Sequence, residues 1–280
     1  MDIAFSKYHG LGNDFIIVDA RGLALDLSAK TIAALSDRRT GIGCDQFVII
    51  RDDAKADAFI DLYNATGHLV EACGNATRCV AAHLGQPAQT SINLRSVMGI
   101  LHCEFVGEDT INVHMGKARI QARNIPLSQD YSGHDLPVQT DVPGAMAKIA
   151  VNMGNPHCVV LLDHVIADDD LRTKGAALEK DPLFPKRANI EFLTRDGDDD
   201  TSLRMRVWER GVGVTQACGS GACASIVAAK LYGWVDDHAT IRLDGGDLNM
   251  RVDNNLHVQM QGSFAKVFTG HITVEQAADA

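Results

Sequence analysis

The chain contains one pattern twice. Ala72-Cys73-Gly74-Asn75-Ala76 returns as Ala217-Cys218-Gly219-Ser220-Gly221 at an offset of 145. Gly12-Asn13-Asp14-Phe15-Ile16-Ile17-Val18-Asp19 resembles Gly154-Asn155-Pro156-His157-Cys158-Val159-Val160 at an offset of 142. A third segment, Val97-Met98-Gly99-Ile100-Leu101, falls opposite Asp244-Gly245-Gly246-Asp247-Leu248, with Gly99 set against Gly245. Three segments in the same order at nearly constant spacing define two copies of one unit of about 140 residues. A period that long is domain-sized, so the chain is not a solenoid. Its 280 residues are sufficient for two such units.

The two copies share a layout. Phe15 to Asp19, Phe47 to Arg51 and Phe59 to Tyr63 read as short strands rich in β-branched and aromatic residues. Gly74 to Leu84 has helical composition and stops at Gly85, with Pro87 beyond it. Ser91 to Leu94, Leu101 to Phe105 and Ile111 to His114 alternate as strands. The second copy repeats this with strands at Ala150 to Asn152, Val159 to Leu162, Ile190 to Thr194 and Leu203 to Glu209. A helix from Gly219 to about Tyr232 follows, then strands at Thr240 to Leu243 and Leu248 to Val252. Each copy is thus mostly strand around one principal helix, and the fold class is mixed α/β. The expected halves are 1–117 and 118–263, with a seam between Gly116 and Pro126. A terminal strand within 264–280 is expected to return to the first half.

Composition narrows the function. Lys and Arg number 26 against 36 Asp and Glu, a net charge of -10, and the basic residues are scattered. Nucleic-acid binding rests on clustered basic residues, so no nucleic-acid partner is expected. No polybasic or long apolar segment suggests a membrane, and the N-terminus lacks a signal-peptide pattern. A cytoplasmic location is expected. The acidic cluster from Asp196 to Asp200 reads as a solvated turn. Seven cysteines, an odd number without a CxxC pair, argue against both a disulfide framework and a structural zinc site.

Cys73 and Cys218 each stand just before a predicted helix. There the free N–H groups and the helix dipole favour negative charge, so each thiol is expected to ionise more readily than an ordinary one. The small residues Gly74, Asn75, Gly219, Ser220 and Gly221 leave the backbone open to an anion such as a carboxylate. A lone cysteine at a helix start is usually core filler, the reading given to Cys44, Cys79, Cys103, Cys158 and Cys223. The duplicated Cys-Gly context sets Cys73 and Cys218 apart.

Two such thiols suit a two-base racemase, in which a thiolate takes a proton from one face of a carbon and a thiol returns one to the other. A cysteine nucleophile with His157 as base would leave the second cysteine idle. The α-hydrogen of an amino acid lies roughly 12 pKa units above a thiol, about 16 kcal/mol, so the site must stabilise a carbanion electrostatically. No lysine lies in a recognisable pyridoxal-phosphate motif. The chemistry is expected to need neither cofactor nor metal.

Seven spaced motifs carry a family resemblance: HGLGNDF at 9–15, GIGCDQ at 41–46, YNATG at 63–67, EACGNATRC at 71–79, MGNPH at 153–157, ANIEF at 188–192 and WERGVGVTQACGSGACA at 208–224. In this order they resemble the diaminopimelate epimerases. The resemblance implies two halves, each a β-barrel-like sheet around a central helix, with the active site in the cleft between. It implies interconversion of LL- and meso-diaminopimelate in lysine and peptidoglycan precursor biosynthesis, by a homodimer. Cys73 and Cys218 match the catalytic pair. Substrate contacts fall on Asn13, Gln46, Asn64, Gly74, Asn75, Asn155, Asn189, Glu209, Arg210, Gly219 and Ser220. Arg210, Asn64 and Asn189 match the group that holds the distal carboxylate. His157 and Glu209 match auxiliary residues near the α-amino group.

Plainer readings stand beside these. Asn13, Asn155 and Asn64 also suit turn formers, Arg210 a surface ion-pair partner, and His157 a packed core histidine. Thr66, Val214 and Cys44 depart from the family pattern. The proline, hydroxyproline and histidine racemases share the two-cysteine logic, and a carboxylate-binding protein with inert thiols is a reading from another class.

Overall fold

A computed structural model describes residues 1–70, 73–86, 89–131, 135–197 and 199–274. Glu71 and Ala72 of the duplicated motif, Pro87, Asp198 of the acidic cluster and positions 275–280 of the expected terminal strand lie outside the described residues. Contacts divide the chain into one unit of Met1–Val113 with the chain from Gly262 onward, and a second of His114–Gln261.

In the first unit, strands β1 (Asp2–Gly10), β2 (Asn13–Asp19), β3 (Gln46–Arg51), β4 (Ala58–Asn64), β5 (Ser91–Ser96), β6 (Gly99–Phe105) and the beginning of β7 (Thr110–Lys117) lie side by side in chain order. In the second, β8 (Ala145–Asn152), β9 (Pro156–Leu162), β10 (Asn189–Arg195), β11 (Ser202–Glu209), β13 (His238–Leu243), β14 (Gly246–Val252) and β15 (His257–Ser263) do the same, and the two-residue β12 (Gly213–Val214) pairs with β11. The last strand, β16 (Ala265–Thr273), runs antiparallel to β1 in the first unit.

The duplication extends to the pairing senses of seven strands in each half. From β1 to β7 the steps run antiparallel, parallel, antiparallel, parallel, antiparallel, antiparallel. From β8 to β15 the same order of senses recurs. Parallel neighbours need a crossover connection. Helices α1 (Ala29–Ser36) and α2 (Gly74–Leu84) supply the two crossovers of the first unit, and α3 (Asp168–Glu179) and α4 (Gly219–Tyr232) those of the second. Each half therefore has a shorter second helix beyond the single principal one expected. Register also corrects one alignment. The two-residue loops close at Ser96 opposite Gly99 and at Leu243 opposite Gly246, and both glycines have positive φ, 122° and 138°. Gly246, not Gly245, is the counterpart of Gly99.

The principal helices are the cores of their units. α2 packs on β1, β2, β3, β5 and β6, and α4 on β8, β9, β10, β11, β13 and β14. A helix that touches strands near both ends of its own sheet requires that sheet to curl around it. α4 accordingly has apolar or small residues on all sides, with Ala222 to Ala229 buried without a break. Burying a side chain such as Ile226 or Val227 stabilises by about 1.5–3 kcal/mol.

Candidate active site

The residues before the principal helices have extended backbones, φ -150° and ψ 110° at Cys73 and φ -124° and ψ 108° at Cys218. That geometry turns each side chain back over the first helical turn, as at any N-cap. The Cys73 sulfur accepts from the Ala76 N–H at 3.5 Å, and the Cys218 sulfur from the Gly221 N–H at 3.3 Å. Each thiol thus satisfies a helix N–H that would otherwise lack a partner.

Around Cys73, Asn13 at the start of β2 turns its Oδ1 to the thiol, 3.7 Å away, and to the Asn75 amide at 3.4 Å. The Asn13 NH2 is held by Asp45 Oδ2 at 3.0 Å. Asn75 is buried, and its Oδ1 accepts from the fully buried Arg78 at 2.8 Å. Gln46 stands on the rung between Phe15 and Asn64. The Asn64 Oδ1 accepts from the backbone N–H groups of Thr66 and His68 and from the Thr66 hydroxyl, so Asn64 closes the β4 turn and keeps its NH2 for other partners. Thr66 therefore supports Asn64 by its own hydroxyl. Lys7 and Arg38 ion-pair with Asp14 beside this cluster, each at 2.6 Å. Burial works against the Asp14 carboxylate, but its bonds to Arg38 and Lys7 prevail and hold it well below the usual carboxylate range.

The second unit repeats the arrangement with different chemistry. Asn155 donates to the Ser220 hydroxyl at 3.3 Å, and Ser220 Oγ lies 3.6 Å from Cys218 Sγ. His157 is fully buried and engaged at both nitrogens, Nε2 to Asn155 Oδ1 at 2.8 Å and Nδ1 to Glu191 Oε1 at 2.7 Å. Asn189 accepts from the Arg210 backbone N–H at 2.9 Å, and the Arg210 guanidinium donates to the Lys186 carbonyl. Glu209 accepts from the Thr215 hydroxyl. Gly74 and Gly219 are the first helical residues beside the two sulfurs. Val214 pairs with Trp208 in the short β12, and Cys44 is buried, its thiol donating to Ser36 Oγ at 3.4 Å.

One expectation is overturned. Burial, followed by the nearby Glu209 and Glu191 carboxylates, pushes the Cys218 thiol well above its ordinary value, against the hydrogen bonds from Ser220 and the Gly221 N–H. The helix terminus alone does not set its ionisation. Cys79 and Cys158 are pushed far up by burial, and Cys103 to about 12, as fits core filler. Two residues of this neighbourhood were not singled out from sequence. Asp45 lies in the GIGCDQ motif and Glu191 in ANIEF, but their partners Asn13 and His157 are more than thirty positions away.

Comparison with known proteins agrees with this layout. The family model described as diaminopimelate epimerase matches residues 5–121 and 149–267. A diaminopimelate epimerase of Sphingopyxis alaskensis is 41% identical over 268 residues, covering 95% of this chain and 96% of the relative. One from Zymomonas mobilis subsp. mobilis is 42% identical over 271 residues, covering 96% of this chain and 97% of the relative. Among solved structures, a hydroxyproline epimerase of Agrobacterium vitis superposes with a TM-score of 0.68 at 14% identity, covering 97% of this chain and 92% of that one. That likeness speaks for the fold alone.

Proposed function

The chain belongs to the diaminopimelate epimerase family, and on that premise we propose that it interconverts LL- and meso-diaminopimelate without a cofactor, Cys73 and Cys218 serving as thiolate base and thiol acid. The observation that carries this reading is the repeated helix start, in which each sulfur sits as an N-cap beside small residues and an asparagine from the first strand turn. The thiolate removes the α-proton, and the thiol of the other half returns a proton to the opposite face. Charge that develops toward the α-carboxylate is stabilised by the N–H groups at the helix starts, with Gly74, Asn75, Gly219 and Ser220 as contacts.

Asn13, Gln46, Asn155 and Glu209 complete the substrate contacts in this reading, and Arg210 with Asn64 and Asn189 holds the distal carboxylate. A guanidinium offers a carboxylate two parallel donors, which selects a substrate with a second acid group. His157 and Glu209 act as auxiliaries. We place the activity in lysine and peptidoglycan precursor biosynthesis, in the cytoplasm, and take the enzyme to be a homodimer. No helix among the described residues is long and apolar enough to cross a membrane.

The test is turnover of purified protein with LL-diaminopimelate, meso-diaminopimelate, proline, hydroxyproline and histidine, followed by chiral chromatography. Conversion of the two diaminopimelate isomers far above the others is expected. Preference for proline, hydroxyproline or histidine would assign the chain to that activity instead. A protein that binds these acids but exchanges no α-proton would be a carboxylate-binding protein.

A further inference from the structure

Strand register gives the counterpart of every residue around the two sulfurs. Ile17 pairs with Val48 as Val159 pairs with Glu191, and Phe15 pairs with Gln46 as His157 pairs with Asn189. The buried pair Phe15 and Val48 of the first half is therefore replaced, at the same place in the second, by His157 and Glu191. A third change accompanies them. Ala76 of the first helix becomes Gly221, where an added Cβ would lie 2.7 Å from Glu191 Oε1 and 3.2 Å from Cys218 Sγ. The missing methyl is what admits a carboxylate beside the helix start.

That carboxylate has a structural cost. His157 and Glu191 have no exposure, and Glu191 Oε2 has no hydrogen-bond partner among the described residues. Replacement of a buried ionic pair by well-packed apolar residues is often neutral or stabilising. The first half shows that this site accepts phenylalanine and valine. A role other than stability accounts for the pair.

Hydrogen-bond direction supplies that role. Asn155 Nδ2 can only donate, so Ser220 Oγ accepts from it and keeps its own proton for another partner. Asn155 Oδ1 can only accept, so the proton between it and His157 belongs to Nε2. Glu191 holds the ring from the other side through Nδ1. We propose that Glu191 is a positioning residue for Cys218: acting through His157 and Asn155, it turns the Ser220 hydroxyl so that its proton points at the Cys218 sulfur. Glu191 touches no reacting atom in this account. The inference deepens the proposed function, since it rests on Cys218 being one of the two reacting thiols.

The experiment reads thiolate reactivity directly. Iodoacetamide alkylation of Cys218 and Cys73 is followed by mass spectrometry against pH in the full-length protein, with Cys73 as internal reference. The charged groups facing Cys218 are Glu209 and Glu191, with His157 behind Asn155. In Glu191→Val the ring is released, Ser220 loses its orientation, and the Cys218 profile is expected to rise by about one pH unit, a tenfold loss of thiolate on its rising limb. Glu191→Gln, which still hydrogen-bonds Nδ1 but removes a carboxylate that raises the Cys218 thiol, is expected to shift the profile downward. His157→Phe with Glu191→Val copies Phe15 and Val48; it is expected to fold and to shift upward, and it decides the matter should Glu191→Val fail to fold. If Glu191 acts only as a nearby charge, Glu191→Val will shift Cys218 downward as Glu191→Gln does. That result, or no shift in any variant, overturns the proposal. Alkylation requires no turnover, so a wild type inactive on diaminopimelate would count against the functional reading and leave this result standing.

Discussion

Asn13 and Asn155 occupy the same place in the two repeats and turn opposite ends of their amides to the thiol-bearing helix. Asn13 gives its NH2 to Asp45 and its oxygen to Cys73 and Asn75. Asn155 gives its oxygen to His157 and its NH2 to Ser220. The group behind each amide decides its direction, an acceptor carboxylate in one half and a donor imidazole in the other. One thiol is thereby offered an acceptor, and the other lies beside a hydroxyl.

The two asparagines should respond differently to the same substitution. Asn13→Asp places a second carboxylate against the solvent-exposed Asp45 and is expected to destabilise the fold by up to about 1 kcal/mol at neutral pH. Asn155→Asp still accepts from His157, so its stability should stay near wild type while kcat falls with the lost donor to Ser220. Urea unfolding with parallel kinetics separates the two. Equal destabilisation would show that the amide directions do not matter.

Gly221→Ala is expected to cost about 1–3 kcal/mol by overpacking against Glu191 and Cys218. Adding Glu191→Val restores the valine and alanine combination that the first half carries at Val48 and Ala76, and should recover most of that loss. Thermal unfolding of the single and double variants checks this. Additive losses would contradict the account.

Much of this was legible from sequence because the duplicated motifs are local. Cys-Gly at a helix start and asparagine after glycine announce themselves within a few residues, and α2 covers the span that composition predicted. The crossover helices were harder. α1 has only eight residues, and α3, although its first turn is acidic, follows Ala167, which supplies no side-chain cap, so neither stands out beside the principal helices. β1 mixes Ser6 and Lys7 among its buried positions, which hides its strand pattern. Within the site, Glu191 gains meaning only through His157, which the parallel β9 and β10 pairing brings near. The raised Cys218 thiol follows from burial, which no local motif reports.

Acid should reveal the pair of cations beside Asp14. Its folded pKa is depressed, so its contribution is fully present above the unfolded value of about 3.9 and is lost as pH falls through the folded one. Arg38→Met removes part of that contribution. The stability gap between wild type and variant should be widest near about pH 6 and narrow steadily below about pH 4. Urea unfolding across that range tests it; a gap that widens on acidification contradicts the assignment.

Substrate choice tests Arg210. Lysine lacks the second carboxylate and would leave this guanidinium without its carboxylate partner, which should reduce kcat/KM by more than about a thousandfold relative to diaminopimelate. Arg210→Lys should also fail, because an ammonium does not reproduce the planar fork. Comparable kcat/KM for lysine and diaminopimelate would remove Arg210 from the distal contact.

The central claim is that two thiols divide one proton transfer between them. The most direct measurement is α-deuteration and isomer conversion of LL-diaminopimelate in deuterium oxide, with wild type, Cys73→Ala, Cys218→Ala and Cys79→Ala. Wild type and Cys79→Ala should convert and deuterate the substrate, while each of the other two variants should retain less than about a hundredth of wild-type conversion with its fold intact. Conversion by either Cys73→Ala or Cys218→Ala at more than that level would contradict the two-thiol account.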